Sequence, residues 1–146
     1  MASKIISKTS VPGFEVESCL MKGEILHRVK VVGPVSMAQR IPLYQLTLET
    51  NRSHGKAIYF SILDNSENHE NELTYGDLKR LDQMIKASGV TDFYCATITA
   101  DSAYESVVAL AMVNHKAVEL GGDLLATRNS ADAEAFILDK IAAHAS

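Results

Sequence analysis

The sequence has few cysteines, no long apolar run and no strong excess of one charge. Its 146 residues contain two cysteines, and 14 basic against 18 acidic residues leave a formal net charge of −4. A protein that binds nucleic-acid backbones needs a basic field, so this balance argues against that class. The longest apolar run, residues 107–113, is far shorter than the ~20 residues of a membrane-spanning helix. We therefore expect no nucleic-acid partner and no membrane span.

Cysteine usage and the first residues indicate a cytoplasmic protein. Cys19 and Cys95 lie far apart, each in an apolar, strand-like stretch, whereas small secreted domains carry more cysteines and zinc sites carry closer ones. We interpret both as buried thiols that pack as small hydrophobic groups. Residues 1–6 lack the charged and then apolar layout of a signal peptide, so the expected location is the cytoplasm.

Length and composition predict one folded domain. Apolar residues make up 47% of the chain, enough for a core at a length that suits one domain. No internal repeat, low-complexity block or linker rich in proline, glycine and serine divides the sequence. We expect residues 1–13 to form a short N-terminal tail, closed by the turn Val11-Pro12-Gly13, and residues 14–146 to form a single domain.

Hydrophobic periodicity predicts two strands followed by alternating helices and strands. Alternation over 14–20 and β-branched residues over 25–32 favour two strands that a tight turn pairs antiparallel. A helix from Ser36 to about Thr50 and a polar loop over 51–55 are expected next. The remaining expected strands cover 57–63, 90–99 and 124–127, and the remaining helices cover 74–88, 102–120 and a last stretch from Ser130. Thr74, Ser102 and Ser130 are the expected caps at the starts of these three helices. The first helix either kinks at Pro42 or begins there. The order β-β-α-β-α-β-α-β-α predicts an α/β fold with a single mixed, mostly parallel sheet.

Motifs of the common enzyme classes are absent. The sequence has no G-x-G-x-x-G, Walker A, G-x-S-x-G, H-E-x-x-H or C-x-x-C pattern. We therefore expect no catalytic residue, no metal and no cofactor, and interpret the protein as a non-enzyme. His69 lies among acidic residues, but no second histidine or cysteine stands at the spacing of a zinc ligand, so a solvated acidic loop is favoured.

Two loops are the candidate binding surface, because ligands of open α/β sheets bind beyond the carboxyl ends of the strands. The first, residues 64–73, is longer than the typical ~4–6 residues, and the second is residues 100–102. The predicted contact residues of these loops and of the second helix start are Asp64, Asn65, Ser66, Thr74, Tyr75, Asp101 and Ser102. Alternatively, Asp64 and Asp101 hold Mg²⁺ in a small enzyme, or they merely order a loop and cap a helix.

The third predicted helix is apolar all round over residues 107–113, which one sheet face cannot bury. Three interpretations remain open: a helix enclosed within the domain, a homodimer interface, or the wall of a pocket for an apolar ligand. Such a pocket would be lined by residues such as Val107, Leu110 and Ala111. His115 is interpreted as a helix-end histidine rather than a catalyst.

Two stretches of sequence carry a family resemblance. Residues 59–66 read Tyr-Phe-Ser-Ile-Leu-Asp-Asn-Ser, and residues 124–136 combine a short strand with an acidic, Ala-rich helix. With the element order over residues 14–146, they resemble the STAS domain superfamily, in particular its SpoIIAA-like branch. The resemblance implies a SpoIIAA-like fold and a bacterial regulator that binds a protein partner. Similar regulators carry a phosphorylatable serine in an Asp-Ser-Ser-Gly turn; here residues 72–77 read Glu-Leu-Thr-Tyr-Gly-Asp, and Thr74 offers the hydroxyl.

Two functions follow from these observations. The first is a non-catalytic regulatory or protein-binding module of STAS-like fold, which presents the loop and helix start at residues 64–77 to a protein partner. The alternative is a carrier of an apolar small molecule or lipid, held between the third helix and the sheet. A homodimer is compatible with either function.

Overall fold

A computed structural model describes residues 3–145, which form alternating helices and strands after an initial three-stranded segment. The elements in chain order are β1 (Lys4–Val11), β2 (Phe14–Met21), β3 (Glu24–Val31), α1 (Met37–Ser53), β4 (Ile58–Asp64), α2 (Tyr75–Ala87), β5 (Asp92–Ile98), α3 (Ser102–Ala117), β6 (Gly121–Thr127) and α4 (Ser130–His144). From β2 onward, this order agrees with the predicted order.

The strands within residues 3–145 form one six-stranded sheet in the order β1-β2-β3-β4-β5-β6. The pairs β1–β2 and β2–β3 are antiparallel, and the three pairs from β3 to β6 are parallel. The α/β class and the single mixed sheet are therefore confirmed. The prediction of a mostly parallel sheet is wrong, because β1 adds a second antiparallel pair to the predicted hairpin.

The segment expected to be a tail contains strand β1. It pairs with β2 from Lys4 opposite Leu20 to Val11 opposite Phe14. Gly13, in the link between the two strands, has φ +85°, a left-handed value that glycine adopts without a steric penalty. β1 is an edge strand with mostly exposed side chains, so it lacks the apolar alternation that reveals a half-buried strand. Residues 1 and 2 of the predicted tail lie outside the described residues.

The sheet separates two hydrophobic layers. Helices α1, α2 and α3 cover one face, where Leu48 and Ile85 pack with Tyr59. Helix α4 covers part of the other face, where Ile137 packs with Phe60. Adjacent residues of a strand point to opposite faces, which is why Tyr59 and Phe60 belong to different layers. Right-handed crossovers between parallel strands in sequential order place the three connecting helices on the same side.

Helix α1 continues through Pro42 and ends at Ser53, beyond the predicted end at Thr50. Of the two interpretations of Pro42, the one in which the helix begins there is wrong. The predicted polar loop over 51–55 is wrong at its start, because Asn51 lies in the last helical turn and is fully buried. A buried asparagine is tolerated only where its amide group finds partners.

The partners of Asn51 belong to a buried hydrogen-bond chain that joins α1 to the sheet. Asn51 Nδ2 donates to the Ile58 carbonyl at 2.9 Å, and Asn51 Oδ1 accepts from His27 Nε2 at 2.6 Å. His27 Nδ1 accepts from the Ser18 hydroxyl at 2.7 Å. Burial lowers the pKa of His27 to about 4, so the ring is neutral at pH 7 with one donor and one acceptor nitrogen.

The caps of α3 and α4 lie one residue before the predicted caps Ser102 and Ser130. Asp101 Oδ1 accepts from the Ala103 N–H at 2.9 Å, and the Asn129 side chain accepts from two N–H groups in the first turn of α4. Asp and Asn are among the strongest caps, so they take this role and leave the serines as the first helical residues.

Candidate functional site

The loop between β4 and α2, residues 65–74, is held from inside by one side chain. Asn65 is 1% exposed. Its Nδ2 donates to the His69 carbonyl at 2.9 Å, and its Oδ1 accepts from the His69 N–H at 2.9 Å. Asn68, which lies between them, has φ +59°, a conformation that asparagine adopts more readily than most residues. Asn65, one of the predicted contact residues, is thus buried and fixes the shape of the loop.

A second set of contacts ties the loop to the start of α1. The Val35 N–H donates to the Glu70 carbonyl at 2.8 Å, and the Glu72 N–H donates to the Val35 carbonyl at 2.8 Å. The Arg40 guanidinium, 4% exposed as a residue, donates to the Glu72 carbonyl and to the Asn71 side chain. The loop is therefore anchored along its length although it has no regular secondary structure.

The outer side of the same loop is acidic and exposed. The exposed polar side chains include Ser66, Glu67, Glu70 and Glu72. Tyr75 follows at the start of α2 and is 49% exposed, with Lys79 Nζ 4.7 Å from the centroid of its ring. The predicted residues Ser66 and Tyr75 therefore belong to one exposed segment that combines negative charge with an aromatic ring.

Thr74 caps α2 as predicted. Its Oγ1 accepts from the Asp77 N–H at 3.1 Å, and Asp77 Oδ2 accepts from the Thr74 N–H at 3.0 Å. This reciprocal arrangement is a capping box, with Asp in the position that Glu or Gln usually occupies. It fixes the backbone at the point where the acidic loop meets the exposed Tyr75.

Asp64 and Asp101 are each engaged in local hydrogen bonds. Asp64 Oδ1 accepts from the Ser66 N–H at 2.9 Å, and Asp101 is the cap of α3. Ser102, beside it, is exposed. Residues 3–145 contain no group of three or more His, Cys, Asp or Glu side chains placed to hold a metal ion. Both carboxylates thus have the ordering roles that were the alternative to a Mg²⁺ site.

A cavity lies between α1, α2, α3 and the sheet. Its volume is about 70 Å³. Val107 and Ala111 line it, as predicted, together with aromatic residues such as Tyr44 and Phe93. The prediction that Leu110 also lines the cavity is wrong. Leu110 projects from another side of α3 and is 41% exposed.

A buried polar cluster adjoins this cavity. His115 Nε2 lies 2.9 Å from Asp82 Oδ1, and Asn114 Nδ2 donates to Asp82 Oδ2. Asp82 is 3% exposed, and His115 and Asn114 are each 5% exposed. Asp82 and His115 both line the cavity. His115 does lie near the end of α3, as predicted, but it is buried and hydrogen-bonds to Asp82 of α2.

The two cysteines are free thiols whose pKa values are raised, chiefly by burial. Cys19 is 2% exposed and packs in the layer beneath α4. Cys95 is partly buried and lines the cavity. A thiol with a raised pKa stays protonated at neutral pH and is a weak nucleophile. The predicted role as a buried, hydrophobic thiol is confirmed for Cys19.

Helix α3 has an apolar outer face. Leu110 is 41% exposed and Val113 is 65% exposed, while Ala111 on the inner face is buried. The interpretation of a helix enclosed within the domain is therefore wrong. The inner face forms a cavity wall, and a homodimer through the outer face stays a prediction.

Sequence reasoning overlooked Asp82 and Arg40. A signal for Asp82 was present, because Leu78, Leu81 and Ile85 define an apolar helical stripe and Asp82 lies on the same face. A charged residue on such a stripe indicates a buried partner. Arg40 offers no comparable signal, since its partners are a carbonyl and an amide in a loop distant in sequence.

The loop surface and the cavity are two features on which a function can be based. No helix within residues 3–145 is both long and apolar enough to cross a membrane. A fold of this kind supports many activities, so function has to be inferred from the sites themselves. No protein-family model, curated protein or solved structure matches the chain.

Proposed function

We propose that the domain is a non-catalytic, STAS-like regulatory module that binds a protein partner through residues 64–77. One observation carries the proposal: the loop has a fixed inner side, held by Asn65 and Arg40, and an exposed acidic outer side. The helices that alternate with sequentially ordered parallel strands support the STAS-like part of the proposal.

An anchored loop is suited to recognition because little conformational freedom is lost on binding. Ordering a side chain at an interface costs about 0.5–1.5 kcal/mol, and ordering a flexible backbone adds to that cost. The hydrogen bonds of Asn65, Val35 and Arg40 already hold the backbone in the free protein. The interaction energy of the exposed side chains therefore contributes directly to affinity.

The charge of the loop defines the complementary surface of the partner. Glu67, Glu70 and Glu72 are exposed within a short segment, so a basic patch on the partner would complement them. Tyr75, exposed just after these acidic residues, provides an amphipathic ring. Tyrosine is frequent among the residues that dominate interface energies. We expect the partner to offer basic side chains around an apolar pocket.

Charge reversal in the loop is expected to weaken partner binding. In the double variant Glu67→Lys/Glu70→Lys, the affinity should fall at least about tenfold, equivalent to about 1.4 kcal/mol, because attraction becomes repulsion. The partner would first be recovered by cross-linking to the wild-type protein in cells of the source organism. Its association and dissociation rates with both proteins would then be measured by surface plasmon resonance.

The matched control reverses two exposed charges elsewhere. Glu15 and Asp139 are exposed on β2 and α4, and Glu15→Lys/Asp139→Lys changes the net charge by the same amount. The control should bind like the wild type, and Tyr75→Ala should bind more weakly. Equal binding by the loop variant and the control would show that this loop is not the interface.

A second candidate function is the binding of a small apolar molecule in the cavity. The specific observation is that the inner face of α3 contributes Val107 and Ala111 to a cavity with aromatic walls. The volume of the cavity, about 70 Å³, is smaller than the ~150 Å³ of an engineered cavity that binds benzene. The occupant is therefore small, and a ring enters only where side chains at the opening shift.

Filling the cavity is expected to abolish this binding. Ala111→Phe adds a ring on the inner face of α3, whereas Leu110→Phe adds one on the exposed face of the same helix. Toluene titrated into labelled protein should shift amide signals of cavity residues in the wild type and in Leu110→Phe, but not in Ala111→Phe. Circular dichroism would confirm that each variant is folded. Shifts that persist in folded Ala111→Phe would place the ligand elsewhere.

A further inference from the structure

The hydrogen bond between Asp82 and His115 determines which nitrogen of the ring carries the proton. Carboxylate oxygens only accept, so the nitrogen that faces Asp82, Nε2 at 2.9 Å, is the donor. Asn114 occupies the second oxygen of the same carboxylate. In the neutral ring, Nδ1 is consequently left as a hydrogen-bond acceptor of fixed orientation.

That acceptor has no partner. Among residues 3–145, His115 Nδ1 is buried and accepts no hydrogen bond. A buried polar atom without a partner costs about 1–3 kcal/mol, and native proteins seldom retain one. His115 lines the cavity, so a molecule bound there lies beside its ring.

The surroundings of His115 are apolar and aromatic. The ring of Phe93 meets the ring of His115 edge to face, with 5.8 Å between centroids. Ala111, one helical turn before His115, and Val108 also line the cavity. A wholly polar ligand would lose its hydration here without compensation, whereas a wholly apolar one would leave Nδ1 unpaired.

We propose that the cavity binds a small neutral molecule with a ring or short apolar body and one hydroxyl group, which donates to His115 Nδ1. This proposal rests on the second candidate function above and adds the chemical class of its ligand. Asp82 is the positioning residue, since it fixes the ring and its tautomer, and His115 is the residue that selects the hydroxyl. A site built for a hydroxyl rejects an isosteric ligand without one, because the acceptor is then left unpaired.

Phenol and toluene test the proposal directly, because toluene carries a methyl group where phenol carries a hydroxyl group of similar size. The wild-type protein, labelled with ¹⁵N in its histidine rings, would be titrated with each compound at about pH 8, where an ordinary histidine is neutral. We expect phenol to bind at least about tenfold more tightly than toluene and to shift the His115 Nδ1 resonance. Toluene should leave that resonance unchanged.

The outcomes separate this proposal from the one on which it rests. Equal affinities, or an unchanged Nδ1 resonance with bound phenol, would overturn selection by His115 and leave the apolar cavity as a binding site. Absence of binding by both compounds would overturn both proposals. Tighter binding of phenol with a shifted Nδ1 resonance supports both.

A variant without the polar cluster provides the second measurement. Replacing one member alone would leave a buried group unpaired and risk unfolding, whereas replacing all partners by apolar groups is far less costly. The triple variant Asp82→Leu/Asn114→Leu/His115→Phe should therefore bind toluene and lose the preference for phenol. A folded triple variant that retains the preference would contradict the role of His115. The wild-type titrations decide the proposal even where this variant does not fold.

Discussion

The wild-type protein is expected to lose about 3 kcal/mol of its free energy of unfolding through His27 alone as the pH falls from about 6.5 to about 4. His27 is fully buried, and burial lowers its pKa to about 4 from the ordinary value of 6.5. The hydrogen bond to Asn51 opposes this effect only in part.

The direction of the pH dependence follows from the two pKa values of His27. Below about pH 6.5 the unfolded chain binds a proton that the folded protein does not bind until about pH 4. Protonation therefore favours the unfolded state throughout this interval. The contribution of neutral His27 to stability is fully present above pH 6.5 and is lost as the pH falls towards 4.

Urea denaturation at a series of pH values would measure this effect. His27→Gln keeps an amide that can hydrogen-bond with Ser18 and Asn51 but does not titrate, so its stability should depend less on pH in this interval. His54→Gln is the matched control, because it replaces an exposed histidine and leaves His27 in place. Parallel curves for His27→Gln and the wild type would contradict the prediction.

Gly122→Ala is expected to destabilise the protein by at least about 4 kcal/mol, or to prevent folding, because a methyl group there meets backbone. A Cβ at this position would lie 2.0 Å from the Phe93 carbonyl oxygen and 2.6 Å from the Phe93 carbonyl carbon. Gly122 stands opposite Phe93 in the β5–β6 pairing, and its φ of +112° is in the range that glycine favours. The methyl group can be accommodated only by separating the two strands.

Gly23→Ala distinguishes this clash from the ordinary cost of a left-handed backbone. Gly23 has φ +80°, and a Cβ there would have no heavy atom within 4 Å. The control should therefore lose only about 1–2 kcal/mol, the cost of a side chain in the left-handed region. Thermal unfolding monitored by circular dichroism would compare the two variants. Equal losses of stability would show that β6 accommodates the methyl group.

Several elements of the fold could be predicted because their causes are local. Phe14, Val16 and Ser18 alternate with acidic residues, which predicts a strand with one buried face. All three residues are buried in the structure. Thr74 and Gly89 bound α2 as predicted, because a cap and a left-handed glycine act on the nearest backbone groups.

Other elements lacked a local signal. The side chains of β1 are exposed over most of its length. The strand is therefore defined by its backbone pairing with β2 and not by apolar side chains. Asn65 has a polar side chain in a polar loop, and its burial depends on how the loop folds back on it. Burial of a polar residue is a property of its surroundings and cannot be inferred from its own chemistry.

The sequence by itself determined the α/β class, the order of elements from β2 onward, and the acidic loop with its helix start. Periodicity and capping suffice for these because neighbouring residues cause them. Only the tertiary structure brought Asp82 of α2 to His115 of α3, exposed Leu110 and left a cavity beneath α3. These features depend on how helices distant in sequence pack on a common sheet, where shape and the satisfaction of buried polar groups decide which side chains meet.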